Sequence, residues 1–396
     1  MRETELRHIA RERAERAHSA LIGLSHWIHD NPELGDQETL ASGVVADWLE
    51  KAGFEVERAA GGLPTAVVGS FGPGPLRIAL LAEYDALPDV GHACGHNVIA
   101  AAAIGAGVAL AGIADQIGLR VSVVGTPAEE GGGGKIRLLD AGVFEGVHAA
   151  LMVHPGPSDM LEPQVLAAEG MDVSYHGRTA HAAAFPELGI NAADALTIAQ
   201  VAIGLLRQRL RPTDRVHGIV TRGGEAPNVI PELVQANLMI RAASGKELDV
   251  LRDEVLACLR AGEVASGARL EVKSRPAYRE MRHDIALADL YQLHAESLGR
   301  SFNPDGKVIF TNFSSDIGNL SQVIPSIHPI IGIDSGAAVN HQHEFAAATV
   351  TDSADKAILD GAIAMAWTAI DAATKPELRD RLLAGPVSAG GVAEGS

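Results

Sequence analysis

The chain has 396 residues, of which 47% are apolar and 21% are charged, a composition typical of globular proteins rather than of disordered or collagen-like chains. Its net charge of −18 argues against nucleic-acid binding and against attachment to anionic membranes, because both need a basic surface. The two cysteines, Cys94 and Cys258, cannot form a disulfide scaffold and suit a reducing compartment.

Residues 1–52 are predicted to form one or two amphipathic helices that end before Gly53. The charged N-terminus lacks the apolar run and cleavage site of a signal peptide. The apolar runs 76–82 and 98–112 are too short, or too rich in Ala and Gly, to cross a membrane. We therefore expect a cytoplasmic protein without a membrane segment.

The next elements alternate between strands and helices. A strand is predicted at 65–69, and two apolar strands, 76–82 and 119–125, flank an Ala-rich helix at 97–113. This alternation indicates βαβ units and a buried, largely parallel sheet, in which ligands gather where strands end. Further along, we expect a helix at 285–298, short strands at 308–310 and 329–333, a final helix at 351–373 and a loose tail from Ala384.

A different pattern separates these two parts of the chain. Strands are predicted at 171–175, 216–220, 234–241 and 270–273, with helices at 191–210 and 247–259. The order β-α-β-β-α-β is that of the split βαβ unit. We therefore expect an α/β catalytic domain formed by 1–169 and 279–396, with a small α+β domain, 170–278, inserted into it.

The densest group of chemically active residues is Gly91-His92-Ala93-Cys94-Gly95-His96-Asn97, between a buried strand and a helix. Cys94 and His96 offer a thiolate and an imidazole, which are ligands for transition metals. A single buried Cys or His is more often a packing residue. The convergence of several candidate ligands favours the metal site here.

Glu129 and Glu130 directly follow the strand 119–125 and precede four glycines. One of two adjacent carboxylates at a strand end can bind a metal while the other acts as a general base on water. A solvated acidic turn is the alternative. A phosphate-binding loop is excluded, because Glu129 and Ile136 stand where that motif needs Gly and Ser or Thr.

His154 follows the apolar run 149–153, and His341 and His343 follow the strand near 330–333. Four distant segments thus bring thiol, imidazole and carboxylate groups to strand ends of one sheet. This recurrence predicts a site for one or two metals. The mixed donor set favours Zn, Mn, Co or Ni over Mg or Ca.

Several motifs occur in the order found in one known family. These are His29-Asp30-Asn31-Pro32-Glu33, Asp85-Ala86-Leu87-Pro88, His92-Ala93-Cys94-Gly95-His96, Glu129-Glu130-Gly131-Gly132, His154, Gly177 with His181, Asn228-Val229-Ile230-Pro231, and His341 with Phe345. Together they resemble the M20 family of metallopeptidases and amidohydrolases, in particular its aminoacylase-like and aminobenzoyl-glutamate hydrolase group. The run Ser315-Asp316-Ile317-Gly318-Asn319 resembles the dipeptidase-like branch of M20 domain-containing protein 2.

The resemblance implies a zinc-peptidase-like α/β/α catalytic domain with an inserted lid that also forms a homodimer contact. It implies two divalent metal ions, zinc or manganese first and cobalt or nickel next. Their ligands would be Cys94, His96, Glu130, His154 and His341. Glu129 would be the general base, and His181 would stabilise the oxyanion in the partner subunit's site. Asn228 and Arg241 match lid positions that bind substrate.

The chain departs from the family pattern at three places. Glu83 stands where many members have a histidine ligand, Asn97 stands where an Asp is common, and His343 competes with His341 for the last ligand position. Asp316 either lies near the site or caps the following helix.

The implied activity is hydrolysis of the amide bond of a small N-acyl amino acid or dipeptide, by metal-activated water with Glu129 as general base. One alternative is a metal-independent thiol amidase that uses Cys94 as nucleophile with His96 as base. The other is a catalytically silent protein that binds amino-acid conjugates, although such a relative would be expected to have lost Glu129.

Overall fold

A computed structural model describes residues 2–302 and 312–385. The chain divides into two compact units, Met1–Gln164 with Met281–Ser396, here called the α/β unit, and Val165–Glu280, here called the inserted unit. The predicted insertion, 170–278, lies within the second of these ranges. Each unit has its own hydrophobic core.

The first part of the α/β unit alternates strands and helices as predicted. Its elements are α1 (Glu3–Asp30), α2 (Thr39–Lys51), β1 (Glu55–Arg58), β2 (Val67–Phe71), β3 (Leu76–Glu83), α3 (His96–Ala111), β4 (Leu119–Thr126), α4 (Gly134–Asp140), β5 (Ala149–Leu151) and β6 (His154–Gly156). The expected strands 76–82 and 119–125 are confirmed as β3 and β4, and the expected helix 97–113 is confirmed as α3. Both strands read as apolar runs because almost all their side chains are buried.

The inserted unit follows the predicted β-α-β-β-α-β order. It comprises β7 (Ala167–His176), α5 (Ala192–Leu206), β8 (Arg215–Arg222), β9 (Leu233–Ala242), α6 (Gly245–Ser266) and β10 (Arg269–Ser274). The strands form one antiparallel sheet in the order β10-β7-β9-β8. The helices α5 and α6 pack on each other and on this sheet. The split βαβ topology is confirmed.

The remaining elements return to the α/β unit. They are α7 (Ile285–Ser297), α8 (Ile317–Ser321), β11 (Ser326–Ile327), β12 (Ile330–Gly332), α9 (His343–Ala348), α10 (Asp352–Thr374) and α11 (Pro376–Leu383). The helices expected at 285–298 and 351–373 and the strand expected at 329–333 are confirmed. The strand expected at 308–310 lies outside the described residues, as does the tail from residue 386. Helix α11 was not predicted.

The main sheet of the α/β unit has the order β1-β2-β4-β3-β5-β11. Its centre is parallel, since β3 pairs in parallel with β4 and β5, and β5 with β11. The expectation of a largely parallel sheet is wrong at one side, where β1, β2 and β4 pair antiparallel. In the centre, Glu83 lies opposite Thr126, so β3 and β4 end at the same edge.

Helix α3 is almost entirely buried and packs against β3, α1 and α10. Helix α10 is long and apolar enough to cross a membrane by length and composition, but 83% of its most apolar window is buried. Its burial against α3, α1 and α7 is that of a core helix. The core thus holds α3 rigidly, with its first residue at the sheet edge where β3 and β4 end.

Candidate metal centre

The turn before α3 presents Cys94 and His96 at the sheet edge. Gly95 between them has φ 83°, and a Cβ atom there would lie 2.3 Å from Cγ of Pro155. Only glycine combines this left-handed backbone with so close an approach. The Gly95 turn therefore brings the Cys94 and His96 side chains beside His154 and Pro155, which begin β6.

Cys94, His96 and His154 form one group of potential ligands in which all donor atoms lie within 4.8 Å of one another. The Cys94 Sγ and the His154 Nε2 are 3.4 Å apart. Thiolate and imidazole ligands on a tetrahedral zinc ion are separated by about 3.5 Å, given metal distances of about 2.3 and 2.0 Å. The three buried side chains therefore fit a transition-metal ion.

Cys94 also belongs to a second group, with Glu130 and His341. The His341 Nε2 lies 3.5 Å from Oε1 of Glu130. His341 has φ 73°, and its backbone N–H donates to the Ala93 carbonyl at 2.8 Å. The structure thus brings His341, and not His343 at the start of α9, to Cys94 and Glu130. Because Cys94 is shared, the two groups form one continuous centre.

Asp85 orients His96. The His96 Nδ1 lies 2.8 Å from the Asp85 carbonyl oxygen and 3.0 Å from its Oδ1. A carbonyl only accepts hydrogen bonds, so Nδ1 carries the hydrogen and Nε2 is the atom available to a metal. The Oδ2 of Asp85 accepts a hydrogen bond from the Glu130 backbone N–H at 2.9 Å. Asp85 therefore connects a candidate metal ligand, His96, to the loop that carries both glutamates, a common arrangement around protein metals.

Among the buried polar atoms of the described residues that make no hydrogen bond are Nε2 of His96, Oε1 of Glu130 and Oε2 of Glu83. Buried polar atoms without a partner are costly unless another group satisfies them. A cation is the group that an imidazole lone pair and carboxylate oxygens share. The unsatisfied atoms therefore support the same conclusion as the distances between the potential ligand atoms, namely that a cation fits this centre.

Glu129 and Glu130 have opposite electrostatic surroundings. Burial raises the pKa of Glu129 well above its usual value, and Glu83, Glu130 and Asp316 raise it further. Burial also raises the pKa of Glu130, but His341 and His96 outweigh it and the net pKa is lowered. The Oε2 of Glu129 lies 4.0 Å from Nε2 of His96. Glu130 is thus the carboxylate that stays charged, and Glu129 is the one that accepts a proton more readily.

A buried lysine beside the centre was not assigned a role from the sequence. Lys135 is fully buried, and its Nζ pairs with Glu83 and, at 2.7 Å, with Oδ1 of Asp316. Of the two alternatives for Asp316, the structure supports a position near the site, because its side chain makes no cap hydrogen bond in α8 and binds Lys135 instead. Since Lys135 and Asp316 are far apart in sequence, no local pattern could reveal this pair.

The predicted lid residues all lie in the inserted unit. His181 is exposed, and its Nδ1 accepts hydrogen bonds from the backbone N–H groups of Ala183 and Ala184, each at 3.2 Å. Its Nε2 therefore carries the hydrogen in the neutral ring. Asn228 is also exposed, and its carbonyl accepts from the Ala182 N–H at 3.0 Å. Arg241 lies on β9 opposite Arg215 of β8.

Comparisons with known proteins identify the family of the chain. The model of peptidase family M20/M25/M40 matches residues 79–363. The chain is 38% identical to the mouse Xaa-Arg dipeptidase over 390 residues, which cover 94% of this chain and 90% of that protein. It is 35% identical to one of the subunits of the p-aminobenzoyl-glutamate hydrolase of Escherichia coli K12, over 62% of this chain and 54% of the relative.

Solved structures show the same fold. The Bacillus subtilis YXEP protein, described as a dinuclear metal binding peptidase from the M20 family, superposes with a TM-score of 0.67 at 21% identity, covering 90% of this chain and 98% of that one. The aminobenzoyl-glutamate utilization protein from Klebsiella pneumoniae superposes with a TM-score of 0.71 at 19% identity, covering 90% and 97%. The M20 resemblance found in the sequence is confirmed, and the chain belongs to peptidase family M20/M25/M40, as a hydrolase of that family.

Proposed function

We propose that this hydrolase cleaves the amide bond of a dipeptide or N-acyl amino acid, with two divalent cations held by Cys94, His96, Glu130, His154 and His341. The observation that carries the proposal is the pair of donor groups that share Cys94. Thiolate and imidazole donors favour zinc, with manganese, cobalt and nickel as alternatives. When bound, such cations lower the pKa of water and polarise the carbonyl that is attacked.

Glu129 is the general base in this proposal. Its carboxylate lies outside the two donor groups that contain Cys94, and it is within reach of a cation held by His96 and Glu130. Its raised pKa suits a group that takes a proton from water and returns it to the leaving amine at neutral pH. Glu130, whose pKa is lowered, remains an anionic ligand throughout the reaction.

His181, Asn228 and Arg241 are proposed to act on the substrate from the inserted unit. The exposed His181 has its Nδ1 engaged by backbone N–H groups, which leaves an Nε2–H donor for a developing oxyanion. We propose that it serves the active site of the partner subunit. Asn228 and Arg241 supply an amide and a guanidinium, and the latter binds carboxylates in a bidentate manner.

Two arguments favour a dipeptide with a basic C-terminal residue as the first substrate to test. The mouse and human relatives at 38% identity are Xaa-Arg dipeptidases. The net charge of −18 attracts cationic substrates and repels anionic ones over long distances.

A cytoplasmic location remains a prediction that follows from the two cysteines and the N-terminal sequence.

A homodimer through the inserted unit is part of the proposal. Strand β8 lies at one edge of the sheet of that unit, and most of its side chains are exposed, including Ile219 and Val220. Helix α5 also exposes Val201 and Leu205. An exposed apolar edge strand pairs readily with another chain, and a second copy offers an identical strand.

The thiol amidase alternative is disfavoured by the surroundings of Cys94. Burial and the nearby Glu130 raise the pKa of the Cys94 thiol well above its usual value, whereas a nucleophilic cysteine needs a lowered pKa. The silent binding protein is disfavoured because Glu129 is present and lies next to His96.

The test is an assay of the purified chain before and after removal of metals with a chelator. The panel comprises dipeptides ending in Arg or Lys, neutral dipeptides, N-acyl amino acids and aminobenzoyl-glutamate. We expect chelation to abolish amine release and zinc, manganese or cobalt to restore it. Hydrolysis that survives chelation would favour the thiol amidase, and binding of dipeptides without any release would favour the silent protein.

A further inference from the structure

Glu83, Lys135 and Asp316 form a buried ion-pair cluster beside the proposed metal ligands. The three side chains are fully inaccessible to solvent. Oxygen atoms of Glu83, Glu129 and Asp316 come close enough to surround a cation, and the Lys135 ammonium group supplies a positive charge there by pairing with two of them. The positive charge within this cluster is therefore supplied by Lys135.

Glu83 differs from Asp316 in what its second oxygen does. Both oxygens of Asp316 bind Lys135, Oδ1 to the ammonium group and Oδ2 to the backbone N–H at 2.8 Å. For Glu83, only Oε1 binds the Lys135 ammonium group, and Oε2 makes no hydrogen bond within the described residues. Lys135 thus fixes Oε1 of Glu83 and leaves Oε2 available to another group.

That second oxygen faces His96. The Glu83 Oε2 lies 3.2 Å from Nε2 of His96, and neither atom makes a hydrogen bond in the part of the chain that the structure describes. Because the His96 Nδ1 faces the Asp85 carbonyl, Nε2 is the ring atom that faces the carboxylate. An imidazole nitrogen and a carboxylate oxygen at this distance are joined by a proton or by a metal ion, and the donor groups to which His96 belongs favour the metal ion.

The separation fits a shared cation. Imidazole and carboxylate ligands each lie about 2.0–2.2 Å from zinc, so neighbouring ligands in a tetrahedral site are about 3.4 Å apart. We propose that Glu83 is a further metal ligand, which donates Oε2 to the cation held by His96, and that Lys135 is a positioning residue that fixes Glu83 for this role. The inference rests on the proposed function, since it requires a metal in the centre.

Metal affinity tests the assignment directly. Wild-type protein and Glu83→Gln are stripped of metal, titrated with Zn²⁺ against a competing chelator and analysed for bound metal. An amide is a poor substitute for a carboxylate ligand. We expect the wild type to bind two equivalents, and Glu83→Gln to bind one equivalent unchanged and the other at least about tenfold more weakly, since even indirect contacts to a metal are worth about 10–100-fold.

Co²⁺ provides a second measurement, because its visible absorption reports the number and type of ligands. We expect Glu83→Gln to change the absorption bands of one bound Co²⁺. The matched control is Glu169→Gln, which removes another buried carboxylate, paired with Arg252 in the inserted unit. This control should keep the affinities and the spectrum of the wild type.

Unchanged zinc affinities and an unchanged Co²⁺ spectrum in Glu83→Gln would overturn the assignment while leaving the metal centre intact. A wild type that binds no metal would overturn both this inference and the proposed function. If Glu83→Gln does not fold, Glu83→Asp replaces it. Its carboxylate is one methylene too short to reach both Lys135 and the cation, so wild-type affinity in that variant would also contradict the proposal.

Discussion

Consecutive residues divide two tasks at the end of β4. Glu130 contacts His341 and keeps its charge, whereas Glu129 lies among Glu83, Asp316 and Glu130, three carboxylates that make its ionised form costly. Adjacent carboxylates differ so strongly because the side chains point to different surroundings. This difference supports the proposed division of the acidic pair into a ligand and a base.

Replacement of Glu129 should separate catalysis from metal binding. We expect Glu129→Gln to lower kcat by about 10²–10⁴-fold, the usual contribution of a general base, because the amide cannot accept the proton. The number of bound metal ions should not change. The measurement is the initial rate of dipeptide hydrolysis together with the metal content of the same sample. Near-normal turnover with both metals retained would remove Glu129 from the role of base.

Sequence reasoning identified candidate ligands that the structure brings together, but not the residues that support them. Cys94, His96 and His154 stand next to strand ends and glycines, where an apolar run stops and polar groups begin, and this signal is local. Lys135 and Asp316 carry no such signal, since the lysine follows a glycine run whose only familiar motif, the phosphate loop, does not fit. Their pairing depends on how α4 and α8 pack together, which no short motif encodes.

At the scale of elements, the glycines after Glu130 determine where the glutamate loop can lie. Gly134 begins α4, and a Cβ atom at this position would lie 1.7 Å from the Pro127 carbonyl oxygen. The obstacle is backbone rather than a flexible side chain. The loop from Pro127 to Gly134 therefore closes on itself only because residue 134 has no side chain.

Gly134→Ala should displace this loop. We expect a loss of about 1–3 kcal/mol in the free energy of unfolding, as for other overpacked positions, together with weaker metal binding because Glu130 moves with the loop. Urea unfolding measures the first effect and metal content the second. Gly23→Ala in α1 is the control, since nothing lies within 4 Å of its added Cβ and alanine favours a helix. Equal stability of the two variants would contradict the argument.

The elements that the sequence predicted best are those with the strongest pattern. Strands β3 and β4 are continuous apolar runs because both faces of the sheet are covered, and α3 is Ala-rich because it packs closely against other elements on several sides. Strand direction was harder to predict. The antiparallel pairing of β1 and β2 depends on long-range contacts. Helix α11 begins at a proline directly after α10, where no element was predicted.

For the whole molecule, the net charge and the exposed surface act in opposite directions on the proposed homodimer. The net charge of −18 opposes self-association in general, so a dimer needs a specific apolar contact. Strand β8 offers one, since its Ile219 is 66% exposed at the sheet edge. The unpaired backbone of an edge strand with exposed apolar side chains is a surface to which the same strand of a second copy can pair.

A charge at this edge should therefore dissociate the dimer. We expect Ile219→Lys to convert the wild-type dimer into monomers, because a lysine at the paired edge blocks strand addition, and sedimentation velocity measures the change. Val264→Lys is the matched control, since Val264 is 83% exposed on α6 of the same unit and outside β8.

If His181 serves the partner's site, the monomeric variant should also lose dipeptide hydrolysis while keeping its metals. A wild type that is monomeric and fully active would contradict both the dimer and the shared site, and an active Ile219→Lys monomer would contradict the shared site alone.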